Sequence, residues 1–152
     1  CRREGLHVAV DTCGYAARET VLAVAELADL LLWDVKTLDP ARHRELTGVP
    51  LAPILENLEA VSRTGVPIWL RLPVVPGVND DLESVSEAAV LAARTPSVRR
   101  VCLLSYHRTA NGKRSRLGRE PALSETASPA PGRMAALAAL FELTGIETTI
   151  GG

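Results

Sequence analysis

The chain of 152 residues carries 17 basic and 18 acidic side chains, a formal net charge of −1, and 47% of its residues are hydrophobic. This balance is ordinary for a globular domain and offers no basic face for nucleic acid, and the few aromatic residues exclude a base-stacking platform. No apolar run reaches the roughly 18 to 20 residues that a membrane span needs, and no charged-then-apolar leader begins the chain. We therefore expect no nucleic-acid or membrane partner and a cytoplasmic location.

The cysteines are three in number and widely spaced: Cys1, Cys13 and Cys102. Without a C-x-x-C pair they predict neither a disulfide framework nor a local zinc or iron-sulfur site, so a cluster would need ligands from elsewhere. The only methionine is Met134. We therefore expect the chain to be the C-terminal part of a longer protein.

Short apolar runs alternate with segments of helical periodicity. The predicted strands cover residues 6–10, 30–36, 66–72, 98–106 and 146–150, and the predicted helices cover 17–28, 39–46, 53–63, 80–94 and 133–143. Residues 108–132 contain too much Gly, Pro, Ser and Arg for regular structure, which is typical of a functional or mobile loop. The alternation predicts a single α/β domain with a parallel sheet, either doubly wound or an arc of a (β/α) barrel.

The second predicted strand ends in two charged residues, Asp34 and Lys36. They are two residues apart and so on the same side of the pleat, where burying either ion unpaired would cost several kcal/mol. The pair therefore either neutralises itself or faces a ligand. Lys36 and Lys113 are the only lysines beside fifteen arginines, which favours a specific role for Lys36.

Polar residues also stand at the ends of the other predicted strands: Asp11, Arg71 and His107. Alone, Asp11 could start a turn, Arg71 could pair with a nearby carboxylate, and His107 could be an ordinary edge residue. Because the carboxyl ends of parallel strands lie on one side of a sheet, we expect these side chains to converge with Asp34 and Lys36. The mixed charges fit a zwitterionic ligand such as an amino-acid end group, and equally a Schiff-base Lys36.

Four stretches, residues 11–15, 34–39, 69–80 and 103–107, resemble in order and spacing the motifs of the glycyl-radical enzyme activating proteins. These proteins belong to the radical S-adenosylmethionine (SAM) superfamily and include the pyruvate formate-lyase activating enzyme. The resemblance implies a partial (β/α) barrel of the radical SAM type, here with its N-terminal strand-helix units missing.

The resemblance also implies a reaction. SAM is cleaved reductively by a [4Fe-4S] cluster, and the 5'-deoxyadenosyl radical abstracts hydrogen from a glycine of a partner enzyme such as pyruvate formate-lyase. An electron donor such as flavodoxin or ferredoxin is implied as well.

The resemblance assigns contacts with SAM to four residues: Asp34, Val35, Lys36 and His107. Asp11 and Asp34 would lie near the carboxylate of SAM and could hold a monovalent cation there. Arg71 matches a family arginine on the same side of the barrel.

Two family motifs are absent from the sequence, the C-x-x-x-C-x-x-C cluster loop and a Gly-Gly-Glu segment. We therefore assign no metal ligand and expect the chain alone to be inactive, with the strand at 6–10 an unpaired edge prone to association. Two other hypotheses remain open, an aldolase-like enzyme using Lys36 and a non-catalytic remnant or binding module.

Overall fold

Five parallel strands form one sheet in the part of the chain that a computed structural model describes, residues 1–106 and 128–151. They follow one another across the sheet in chain order: β1 Ala9–Thr12, β2 Leu30–Asp34, β3 Ile68–Val74, β4 Val98–Ser105 and β5 Glu147–Ile150. A strand order that never reverses is typical of a (β/α) barrel, whereas a doubly wound sheet reverses at a switch point. Of the two α/β architectures that the sequence left open, the structure therefore matches the arc of a barrel.

Helices connect the successive parallel strands. Their bounds are α1 Arg18–Leu27, α2 Pro40–Thr47, α3 Ala52–Ser62, α4 Leu82–Arg94 and α5 Pro131–Glu142, and a short 3-10 turn, Arg2–Glu4, precedes β1. Helix α1 packs against α3, and α4 packs against α5. Among the helices of residues 1–106 and 128–151, none combines the length and the hydropathy that crossing a bilayer requires.

One face of the sheet is buried beneath the helices. Alternate side chains of β3, from Ile68 to Val74, are at most 8% exposed and pack in one cluster with apolar residues of α1, α3, α4 and α5. Each large apolar side chain buried in this way contributes about 1.5–3 kcal/mol. The intervening residues of β3, which include Trp69 and Arg71, are half-buried on the other face, which we call the open face.

Strand β1 begins later than the apolar run 6–10 predicts. Leu6 is 58% exposed, and the amide of Val8 donates to the carboxylate of Asp29 at 2.8 Å instead of entering the ladder. Pairing with β2 runs over Ala9–Thr12. Within the described residues β2 is the only strand beside β1, so this is an edge strand, and its tendency to associate stays a prediction.

The turn that Asp11, taken alone, could have started begins elsewhere. Asp11 lies inside β1, opposite Leu32 of β2, because a half-exposed edge strand tolerates a polar side chain on its open face. The turn begins one residue later, where the hydroxyl of Thr12 accepts a hydrogen bond from the amide of Gly14 at 2.9 Å.

Strand β3 runs two residues beyond its predicted end and includes Pro73. Arg71 lies two residues before Pro73, so both residues direct their main-chain groups to the same side of β3. On that side the carbonyl of Arg71 accepts from the amide of Val35 at 3.0 Å, just past the end of β2. Pro73 therefore points beyond β2, where the ladder needs no donor and the missing N–H costs nothing.

The helix ends follow their local chemistry. The Asp39 carboxylate accepts from the amides of Ala41 and Arg42 at 2.8 and 3.1 Å and caps α2, at the residue where the sequence predicts that this helix begins. Asp81 caps α4, whereas Asp80 belongs to the preceding loop.

The predicted loop 108–132 falls mostly outside the described residues. Its described end differs from the prediction, since Pro131 and Gly132 are the first residues of α5. Proline suits the first turn of a helix because the amide there has no intrahelical partner.

Candidate functional site

Four charged side chains form one hydrogen-bonded network on the open face, at the carboxyl ends of β1 and β2 and at Arg71 in the middle of β3. The Nε of Arg71 donates to Oδ1 of Asp34 at 2.7 Å, and its Nη2 donates to both carboxylate oxygens of Asp11 at 2.7 Å. The Nζ of Lys36 donates to Oδ2 of Asp34 at 2.6 Å. Two carboxylates thus face two cations, and the network, Asp11–Asp34–Lys36–Arg71, has no net charge.

Strand geometry explains this convergence. Asp34 and Arg71 are partners in the register of β2 and β3, so their side chains leave neighbouring strands on the same face. Lys36 lies two residues past Asp34 and returns to that face. Asp11 is one strand further away, and only the length of the arginine side chain lets Arg71 reach across β2 to it.

The network has a covered half and an accessible half. The side chains of Asp34 and Arg71 are 17% and 19% exposed, whereas those of Lys36 and Asp11 are 40% and 60% exposed. Burial alone would lower the pKa of Arg71, but hydrogen bonds and Coulomb attraction from Asp34 and Asp11 outweigh it and raise the pKa above its ordinary value. Arg71 is therefore a permanent cation, and a ligand meets Lys36 and Asp11 first.

Two of the residues that the resemblance assigns to SAM differ from the others. The Val35 side chain is 2% exposed and belongs to the core. The main-chain amide of Val35 donates to the carbonyl of Arg71. A ligand on the open face could therefore contact only main-chain atoms of Val35. His107 lies outside the described residues.

The β1–α1 loop is held by a residue for which the sequence predicts no role. Asn57 of α3 is 4% exposed and donates to the carbonyls of Gly14 and Ala16 at 2.8 and 3.0 Å. Gly14 has a φ of +71°, and a Cβ there would lie 2.1 Å from Cζ2 of Trp33. The loop is thus fitted against Trp33, the residue before Asp34.

A second asparagine, Asn79, holds the β3–α4 loop. Its Nδ2 donates to the carbonyls of Lys36 and Pro73 at 2.6 and 2.7 Å, and its Oδ1 accepts from the amide of Val75 at 2.7 Å. Asn79 lies in the stretch that carries the family resemblance, but nothing in its spacing predicts a bond to Lys36, 43 residues away.

His43 is buried, although the sequence places it on a polar helix face. It is 3% exposed, and its Nδ1 lies 3.0 Å from the carbonyl of Val49 and 3.2 Å from the hydroxyl of Thr47. These partners satisfy Nδ1 within α2 and the turn after it, which agrees with a structural role.

The described residues do not fit an iron-sulfur cluster. Cys1 and Cys13 are exposed, Cys102 is buried, and all three thiols are free. Over residues 1–106 and 128–151, no three or more His, Cys, Asp or Glu side chains are grouped so that they could hold a metal ion. Asp11 and Asp34, to which the resemblance assigns a monovalent cation, are already bonded to Arg71.

No family model matches the chain, but individual known proteins are similar to it. The trans-4-hydroxy-L-proline dehydratase activating enzyme of Clostridioides difficile is 35% identical over 153 residues, covering 100% of this chain and 51% of that protein. The chain thus spans about half the length of this curated relative.

Two solved structures share the fold. A domain of a pyruvate-formate lyase-activating enzyme from Bacteroides vulgatus has a TM-score of 0.83 and 29% identity, covering 100% of this chain and 85% of that chain. A radical SAM methyltransferase from Sphaerobacter thermophilus has a TM-score of 0.70 and 17% identity, covering 93% and 39%, which supports the fold alone. The expected partial barrel of the radical SAM type is confirmed, and the chain is a homologue of glycyl-radical enzyme activating enzymes.

Proposed function

We propose that this chain supplies the SAM-binding half of the barrel in a glycyl-radical enzyme activating enzyme. The observation that carries the proposal is the network Asp11–Asp34–Lys36–Arg71, which stands at the carboxyl edge of a barrel-type sheet, where such folds bind their ligands. The 152 residues would be one incomplete domain, in keeping with their coverage of about half of the curated relative.

The charges of the network match the amino-acid end of SAM. The ligand carboxylate would take donors from Lys36 and Arg71, and its ammonium would donate to Asp34 or Asp11. Main-chain atoms of Val35 and the side chain of His107 complete the proposed contacts. A monovalent cation at Asp11 and Asp34 would require Arg71 to release at least one of these carboxylates.

For the whole protein we propose the family's reaction. SAM would supply a 5'-deoxyadenosyl radical that abstracts hydrogen from a glycine of a partner enzyme, with a [4Fe-4S] cluster held outside the described residues and an electron donor such as flavodoxin or ferredoxin. The names of the two relatives refer to different partners, a trans-4-hydroxy-L-proline dehydratase and pyruvate-formate lyase, so the partner class is a glycyl-radical enzyme. A cytoplasmic location belongs to the same proposal.

The geometry disfavours the aldolase hypothesis. A Schiff-base lysine must attack as the neutral amine, usually in an apolar pocket. Here Nζ of Lys36 already donates to the carboxylate of Asp34 at 2.6 Å, and the side chain is 40% exposed, so the nitrogen is neither free nor in an apolar pocket. Borohydride trapping of a carbonyl substrate on Lys36 would restore that hypothesis.

Calorimetric titration with SAM and with adenosine tests the proposed site. If the network holds the amino-acid end, SAM binds at least about tenfold more tightly than adenosine, since hydrogen bonds to charged groups contribute about 1.5–3 kcal/mol. Lys36→Met should remove part of that difference, since Arg71 remains as a donor to the ligand carboxylate. Arg63→Met, which breaks an exposed ion pair with Glu59 on α3, is the matched control and should leave both affinities unchanged.

The opposite outcome is equally clear. If the chain binds SAM no better than adenosine, the proposed site is refuted and a non-catalytic remnant is favoured.

A further inference from the structure

We infer that Asn79 is a positioning residue that acts through Lys36, an inference that rests on the proposed SAM site. The starting point is where Lys36 lies. Strand β2 ends at Asp34, and the amide of Val35 makes a last bond to β3, so the backbone of Lys36 is past the end of the ladder. Something other than the sheet must hold it.

The side-chain amide of Asn79 provides that support. Nδ2 reaches the carbonyl of Lys36 at 2.6 Å and the carbonyl of Pro73 at 2.7 Å, so a single NH₂ group joins the segment after β2 to the end of β3. Because Oδ1 accepts from the amide of Val75, the side chain is fixed at both ends. The position of the Lys36 backbone is therefore set from the β3–α4 loop.

The ion pair depends on this support. A lysine side chain has four flexible methylene groups, and holding it in one geometry costs up to about 2 kcal/mol in lost rotamer freedom. Nζ of Lys36 is nevertheless held 2.6 Å from Asp34 with 40% of its side chain exposed. A backbone that drifts at Lys36 would displace Nζ from both Asp34 and a ligand carboxylate.

A simpler role for Asn79 would be to close its own loop without positioning Lys36. A variant of the neighbouring Asp80 distinguishes these two roles. Asp80 closes the same loop by accepting from the amide of Gly77 at 2.8 Å, and it also pairs with Arg133 of α5. In the bonds described for Asp80, none involves Lys36. Asp80→Asn weakens the loop by removing the carboxylate charge that faces Gly77 and Arg133, while Asn79→Asp removes both donors and keeps an acceptor for Val75.

Nuclear magnetic resonance of the chain with ¹³C-labelled lysine tests the positioning without any ligand. Only Lys36 and Lys113 give signals, and Lys113→Arg assigns them. A lysine Nζ held in one place makes its two Hε protons inequivalent. We expect two resolved Hε shifts for Lys36 in the wild type and in Asp80→Asn, and their collapse in Asn79→Asp.

Calorimetry then tests the consequence for SAM. Asn79→Asp should weaken SAM binding roughly two- to tenfold, the usual effect of one lost hydrogen bond, but less than about twofold in the Lys36→Met background. A loop-closing residue would give the same loss in both backgrounds. Asn79→Ala, which removes all three bonds without adding a charge, replaces Asn79→Asp if that variant does not fold.

The outcomes are distinguishable. The positioning role is overturned if the two Hε shifts of Lys36 collapse equally in Asn79→Asp and Asp80→Asn, or in neither variant. It is also overturned if Asn79→Asp weakens SAM binding by the same factor in the Lys36→Met background as in the wild type. Collapse confined to the Asn79 variants, in a chain that does not bind SAM, would support the positioning and refute the proposed site.

Discussion

Replacement of Gly14 by alanine should be costly for two separable reasons. The first is the backbone, because the φ of +71° lies in the left-handed region, which costs an L-residue about 1–2 kcal/mol. The second is contact, since the new Cβ would lie 2.1 and 2.2 Å from Cζ2 and Cη2 of Trp33. Trp33 is 0% exposed, so its ring cannot move aside without repacking the core, which adds about 1–3 kcal/mol.

Gly145→Ala is a matched control for the first cost alone. Gly145 has a φ of +75°, and a Cβ there meets no atom within 4 Å. We therefore expect Gly145→Ala to lower the free energy of unfolding by about 1–2 kcal/mol and Gly14→Ala by about 2–5 kcal/mol. Urea unfolding followed by far-ultraviolet circular dichroism measures both.

Trp33→Phe provides the internal check. Phenylalanine has a smaller ring than tryptophan and lacks the outer ring atoms that Gly14→Ala would strike. In that background the cost of Gly14→Ala should fall toward that of Gly145→Ala. Equal costs for the two glycine variants in the wild-type chain, or an undiminished cost of Gly14→Ala in the Trp33→Phe background, would refute the steric reasoning.

Two further predictions concern the charged residues. Asp34→Asn should lower the free energy of unfolding by about 1–3 kcal/mol, because the side chain is 17% exposed and accepts from two cations. Asp11→Asn should lower it by less than about 1 kcal/mol, because that side chain is 60% exposed. Equal shifts of the urea midpoint at neutral pH for the two variants would contradict this reasoning. Asp81→Ala should cost about 1 kcal/mol as a lost helix cap. The amide and hydroxyl of Ser84 hold the pKa of Asp81 below its ordinary value, so this contribution is present at neutral pH and disappears as the pH falls below about 4; an Asp81→Asn cap should show no such loss.

Features of the fold that depend on hydrophobic periodicity or on strand direction could be predicted from the sequence. The alternation of strands and helices and the convergence of Asp11, Asp34, Lys36 and Arg71 depend on patterns within a few residues and on the common direction of parallel strands. The start of α2 at Asp39 could also be predicted, since a helix cap involves only the first turn of its own helix.

Other features could not be predicted because their partners are distant in sequence. Asn57 bonds to two carbonyls more than 40 residues away, and Asn79 bonds to the carbonyl of Lys36, 43 residues away. An asparagine amide has no periodic signature in a sequence. The start of β1 was missed because pairing with β2, rather than local hydrophobicity, decides which residues enter the ladder. The hydrophobic pattern ended at Asp11, but the strand did not.

The charge balance of the network Asp11–Asp34–Lys36–Arg71 has a consequence for the rate of ligand capture. Two anions and two cations within hydrogen-bond distance cancel beyond a few ångström, so they attract a charged molecule only at contact. Ligand association with this site should therefore proceed at an unsteered rate that changes little between low and high salt. Discrimination would occur only after arrival, as each pair of the network exchanges its partner for one on the ligand.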